Sequence, residues 1–199
     1  MHRVGGLLQQ VADALQVRGI AVDGPHRVAA TQIPTALEPR VPQQLRDAWH
    51  DGAWRLSWHD HDGERLGRDA RHGGLLFMTP AEAAAEAEDY AELLEEERDV
   101  AEPANVELAE RSWLTWTPFH RFPSGDCLAV DRSGEVVLWQ HDLLDGGPYV
   151  HGLRLGTTLT DFVGEWARVG FAEPRDWRKV ATVQHAGLDL NGAEWTRLF

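Results

Sequence analysis

Hydrophobic positions along this chain change period several times, and each change marks an element. Val4, Leu7, Leu8, Val11 and Leu15 recur at three- and four-residue spacing over residues 2–17, the pattern of an amphipathic helix. Gly19 and Gly24-Pro25 break that pattern. Residues 24–40 read as loop, with the run 28–33 as an edge strand or a pinned linker. Pro34 and Pro39 argue against a central strand there. Pro42 opens a short helix reaching Trp49, with Leu45, Ala48 and Trp49 inward and Gly52 at its end. Residues 53–58 then alternate, with Trp54, Leu56 and Trp58 on one face of a strand. Residues 75–78 form a short apolar strand. Thr79-Pro80-Ala81-Glu82 is a capping box that opens a long helix reaching about Arg98. A shorter helix spans 102–110, entered at Pro103, and a strand over 114–117 leads into Pro118-Phe119.

The clearest alternation lies between residues 127 and 141. Leu128 and Val130 share a face, as do Val136 and Leu138, and Val137 and Trp139 share the other. The turn Asp131-Arg132-Ser133-Gly134 joins the two runs, so a β-hairpin is expected with Val130 close to Glu135. After a sharp loop at Gly146-Gly147-Pro148, residues 149–155 read as another strand. Leu159, Phe162, Val163 and Trp166 make the apolar stripe of a helix capped by Thr158, with Arg168 and Gly170 at its end. Pro174 and Trp177 start a helix to about Val183. Asn191-Gly192 is a turn, and Trp195, Leu198 and Phe199 are placed to dock back on the body.

These elements predict an α+β fold, with a mainly antiparallel sheet of about five to six strands packed against helices and an N-terminal amphipathic helix. Residues 1–34 are expected to form that helix and a linker, residues 35–172 the main domain, and residues 173–199 an extension packed on it.

Composition narrows the function. The chain has 199 residues, nine of them Trp, and carries 19 basic and 32 acidic residues for a net charge of −13. That field repels phosphate backbones and disfavours nucleic-acid binding, while it steers a basic protein partner inward. No apolar run approaches membrane-spanning length, and the N-terminus lacks the pattern of a secretory signal, so a cytoplasmic location is expected. The single cysteine, Cys127, sits in the hairpin and reads as a buried structural thiol.

Four features are candidates for function. The 79–98 helix carries Glu86, Glu88, Asp89, Glu92, Glu95, Glu96 and Glu97, which is either a solvated face or a surface presented to a basic partner. His59-x-His61 with Asp60 and Asp62 invites a metal reading, as imidazole and carboxylate are common ligands, against the reading of a solvated loop. Hairpin pairing brings Asp126 or Cys127 opposite His141, with Asp142 next to it. That pair either fixes the strand end or orients a proton shuttle. Trp54, Trp58, Trp113 and Trp116 lie beside polar loops, whereas Trp139 and Trp166 belong to the core; a Trp exposed near the acidic surface suits a protein interface. Phosphate-loop, nucleophile-elbow and paired-cysteine motifs are all missing, so no catalytic residue, metal site or cofactor is assigned.

The order Trp113, Trp116-x-Pro118-Phe119, Gly125-Asp126, hairpin, His141-Asp142 and Asp161-Phe162 helix resembles the SUKH superfamily over roughly residues 38–170. That superfamily comprises regulators of fungal cell-wall assembly and bacterial toxin-immunity proteins. The resemblance implies a non-enzymatic protein-binding module, most specifically an immunity protein that binds a basic toxin or nuclease domain. The alternatives are a regulatory scaffold of the same superfamily, or a metal-dependent hydrolase using His59 and His61. The residues expected to meet the partner are Trp54, Trp116, Asp126, His141, Asp142, Glu92, Glu95 and Glu96.

Overall fold

The computed structural model describes residues 3–29, 31–63, 65–66, 71–146, 150–174, 176–182, 187–190 and 196–199. Their order is α1 (Arg3–Val17), β1 (Ala21–Val28), α2 (Gln43–His50), β2 (Ala53–His59), β3 (His72–Leu76), α3 (Pro80–Glu97), α4 (Pro103–Ser112), β4 (Thr117–Arg121), β5 (Cys127–Val130), β6 (Val136–Trp139), α5 (Leu143–Gly146), β7 (Arg154–Gly156), α6 (Leu159–Ala167) and α7 (Trp177–Val180). The fold is α+β. Its seven strands run antiparallel in chain order, divided into the sheets β1-β2-β3 and β4-β5-β6-β7.

The two sheets meet along a seam. The Met78 amide donates to the Phe119 carbonyl at 2.8 Å, and the Leu76 amide donates to Nδ1 of His120 at 3.2 Å. Farther along, the Gly74 amide donates to the Phe171 carbonyl at 3.1 Å. A backbone edge that would otherwise be left bare is thus satisfied by a side chain and a loop.

Helices cover the sheets unequally. Trp54, Leu56 and Trp58 of β2 face α1 and α6, and a single hydrophobic cluster runs from Leu8 to Leu198. On the opposite face, α3 packs on β4, and its Tyr90 ring meets Trp139 at 4.9 Å. Arg55, Ser57 and His59 alternate onto this same side of the first sheet, which is partly solvated. The two best-capped helices form as expected. The Thr79 hydroxyl accepts from the Glu82 amide while the Glu82 carboxylate accepts from the Thr79 amide. The Thr158 hydroxyl accepts from the Asp161 amide at 3.1 Å.

Seven sequence expectations shift. The first strand is Ala21–Val28 instead of the run 28–33. It crosses Gly24-Pro25 through a register shift between Asp23 and His26, and because β1 is an edge strand, the N–H that Pro25 lacks is not missed. β3 is His72–Leu76 instead of 75–78. Its glycines are required by close approach: a Cβ on Gly73 would lie 2.7 Å from the Trp58 ring. α4 overshoots to Ser112, and Thr115 and Trp116 still donate to the Ser112 carbonyl, so the next strand starts at Thr117 and not at 114. β7 is only Arg154–Gly156, and α7 only Trp177–Val180. The hairpin closes with Asp131 bonded to Glu135, so Val130 pairs with Val136 and not with Glu135. Gly147, Pro148, Tyr149, Val183 and residues 191–195 lie outside the described residues.

Candidate partner-binding surface

α3 is amphipathic with an acidic outer face. Ala83, Ala87, Tyr90 and Leu94 point inward at three- and four-residue spacing. Glu88, Asp89, Glu92, Glu95, Glu96 and Asp99 alternate with them on the exposed side. Some acids of this helix have partners. Arg55 pairs with Glu82 at 2.5 Å, Arg121 with the buried Glu86 at 3.2 Å, and Arg98 with Glu95 at 2.8 Å. Burial pushes the Glu82 carboxyl up, but the Thr79 amide and the Arg55 guanidinium outweigh it and hold it below its ordinary value. Among the described residues, Glu88, Asp89, Glu92 and Glu96 have no ion-pair partner. Between α3 and the solvated face of the first sheet lies a shallow cleft of about 350 Å³, lined in part by Leu76, Met78, Ala85 and Asp89. Leu76 is 46% exposed there, an apolar contact in the cleft that the unpaired Asp89 and the Arg55–Glu82 and Arg121–Glu86 pairs also line.

The hairpin end supplies a second polar group. One carboxylate oxygen of Asp126 lies 2.9 Å from Nδ1 of His141 and accepts the His141 amide at 3.0 Å. Gly125 leaves room for this imidazole, since a Cβ there would sit 3.0 Å from the ring. Ligand atoms of Asp126, His141 and Asp142 all lie within 4.8 Å of one another. The Tyr90 hydroxyl donates to the Gly125 carbonyl at 2.9 Å, which joins this loop to α3. Glu173, which the sequence did not single out, approaches from the far side and accepts from the Ser124 hydroxyl at 3.1 Å. Burial pushes its carboxyl up.

The expected site residues therefore divide. Glu92, Glu95 and Glu96 share the α3 face, and Asp126, His141 and Asp142 form one group tied to it. Trp54 lies on the other side of the sheet, its ring over Gly5 of α1. Trp116 stacks on His151 with ring centroids 5.1 Å apart. Trp58 and Trp113, which flank polar loops in the sequence, are 3% and 0% exposed and belong to the core.

The metal reading of His59 and His61 gains little from the geometry. Their exposed rings meet edge to face at 4.5 Å, but the intervening Asp60 is turned inward. Its carboxylate accepts the amides of Asp62 at 3.3 Å and Arg65 at 3.0 Å. Burial pushes that carboxyl up, and these backbone donors outweigh it to hold its pKa down. Glu64 lies outside the described residues.

A serine–histidine pair is present, wired against nucleophilic use. Nε2 of His151 lies 2.8 Å from the Ser112 hydroxyl, and Nδ1 of His151 accepts the Gln140 amide at 3.1 Å. Nδ1 therefore holds the lone pair and Nε2 the proton, so the imidazole donates to Ser112 and cannot take its proton. The hydroxyl in turn donates to the Leu108 carbonyl at 2.6 Å. Cys127 is equally inert. Burial and then the neighbouring Glu86 carboxylate, 3.4 Å from Sγ, push its thiol well above the ordinary value. Iodoacetamide at pH 8 is expected to leave native Cys127 unmodified for hours and to alkylate it within minutes in 6 M guanidinium; rapid alkylation of the native chain would contradict this burial.

Among the described residues, no helix is long and apolar enough to cross a membrane. No family model, curated protein or solved structure matches the chain.

Proposed function

We propose that this chain is a non-enzymatic protein-binding module that takes a basic protein against α3. In its most specific form it is a cytoplasmic bacterial immunity protein that neutralises a cognate toxin by direct binding. One observation carries the reading: Glu88, Asp89, Glu92 and Glu96 stand together on an exposed helix face with no ion-pair partner among the described residues. Like charges at three- and four-residue spacing weaken a helix, and a cationic partner would relieve them. The SUKH-like order of Trp113, Trp116-x-Pro118-Phe119, Gly125-Asp126 and His141-Asp142 supports the same class. A domain that acts on nucleic acid presents a basic active-site surface, and a carboxylate stripe is complementary to it. The net charge of −13 would draw that partner in from solution, and Leu76 would meet its apolar surface.

Stopped-flow association with the partner, measured across ionic strength, tests the reading. The rate is expected to fall by roughly 10- to 1,000-fold from low to high salt. A combined Glu88→Gln, Asp89→Asn, Glu92→Gln and Glu96→Gln variant should associate slowly at every salt concentration. A rate independent of both salt and substitution would remove α3 from the interface.

A further inference from the structure

An apolar cavity lies on the opposite side of the sheet from α3. It has a volume of about 500 Å³ and opens between α1, α2 and α6. Trp54, Leu75 and Phe77 form its floor, and Leu7 and Val163 form its walls. This size and an apolar lining are those of small-molecule pockets.

The glycines around it behave differently from one another. A Cβ on Gly5 would lie 2.7 Å from the Trp54 ring, so packing within the chain explains that glycine. Gly6 in α1 and Gly164 in α6 line the cavity, and a Cβ on either would meet nothing within 4 Å. Glycine weakens a helix interior, and neither of these two is needed by its neighbours. Their effect is to keep the space open.

The lining also defines the chemistry. Among the described residues it contains no charged side chain. Gln44 donates to the Gly134 carbonyl and accepts the Leu159 amide at 2.8 Å, so its amide is held on the backbone around it and carries no charge into the cavity. Gln10 and Thr160 are exposed at the mouth. The nearby N-terminus of α6 already holds the Asp161 carboxylate, which accepts from the Thr158 hydroxyl at 2.8 Å. An anionic head group would find no cation among the lining residues.

We infer that the cavity between α1, α2 and α6 binds a small neutral molecule with an aliphatic body, its one uncharged polar group at the Gln10–Thr160 mouth. The site is independent of partner binding at α3, since the sheet separates them.

Titration of 1-decanol into the full chain, followed by calorimetry and by methyl NMR, tests this inference. One-to-one saturable binding is expected, with shifts confined to Leu7, Leu75, Leu159 and Val163. Gly164→Leu places a side chain in the open space and should weaken binding at least tenfold while melting no lower than the wild type. Decanoate should bind at least tenfold more weakly than the alcohol. No saturable binding, or equal binding by Gly164→Leu, would overturn the site, and equally tight decanoate would overturn the neutral class. Dimerisation of the free chain that Gly164→Leu abolishes would assign the cavity to a second copy instead.

Discussion

Acidification from pH 7 to about pH 4.5 is expected to strip several kcal/mol from the stability of this protein, through two histidines that resist protonation while it is folded. His120 is 3% exposed, and its Nδ1 lone pair accepts the Leu76 amide across the seam between the sheets. Burial pulls its pKa down to about 3. His151, held by the Gln140 amide, is likewise pulled down by burial to about 4. In the unfolded chain a histidine takes its proton near pH 6.5. Below that value the unfolded state binds protons that the folded state refuses, so stability is fully present above about pH 6.5 and falls as pH drops toward 3. Each such group costs about 1.4 kcal/mol per pH unit inside the window. The acids with lowered pKa, Asp60, Glu82 and Asp176, start from ordinary values of 3.8, 4.5 and 3.8, so their loss comes at lower pH, while Glu173, pushed up by burial, takes its proton sooner in the folded state and offsets part of the histidine loss. Urea melts at pH 7, 6, 5 and 4.5 measure the slope. His120→Gln keeps an acceptor for Leu76 and removes the titration, so its slope should be about half that of the wild type. An unchanged slope would mean that His120 titrates alike in both states.

Gly74→Ala is expected to destabilise the fold by more than about 3 kcal/mol, an exceptional loss for one methyl group. Two effects add. Gly74 has φ +153°, a conformation that residues with a Cβ rarely adopt. The new Cβ would also run into the Leu56 carbonyl oxygen and lie 2.8 Å from the Ser57 Cα, both backbone atoms of β2. β3 cannot turn away, because Leu75 pairs with Leu56 and the Gly74 amide is bonded to Phe171. At this chain length such a loss lowers Tm by about 10 °C. Gly6→Ala is the control. It adds a Cβ in open space on α1, so it should hold or raise Tm by a few degrees. Equal melting of the two variants would contradict the close approach of β2 and β3.

Much of the architecture was legible in local sequence, because the signals that make it are local. Thr79 and Thr158 cap their helices through hydroxyls three residues from the amides they meet. The α3 stripe was legible for the same reason, as a 3.6-residue period of Glu and Asp. The Asp126–His141 contact followed from hairpin pairing, although the Asp131–Glu135 bond moved the register by one residue. What escaped depends on neighbours distant in sequence. Gly73 and Gly74 fell outside the strand expected at 75–78, yet they are strand residues pressed against Trp58 and Leu56. Trp58 and Trp113 flank polar loops but are covered by elements far along the chain. Leu76 lies in an apolar run whose other members turn inward, and its exposure follows from which sheet face α1 and α6 leave uncovered. Trp54 was expected near the acids, but its strand face belongs to the α1 side.

The most direct measurement is quantitative affinity capture from lysate of the source cells. Wild-type chain and the Glu88→Gln, Asp89→Asn, Glu92→Gln and Glu96→Gln variant serve as parallel baits, read by mass spectrometry. The expected result is one basic protein near one-to-one ratio on the wild type, depleted on the variant. Retention of that protein equally by both baits, or no stoichiometric partner on either, would contradict binding through the acidic face of α3.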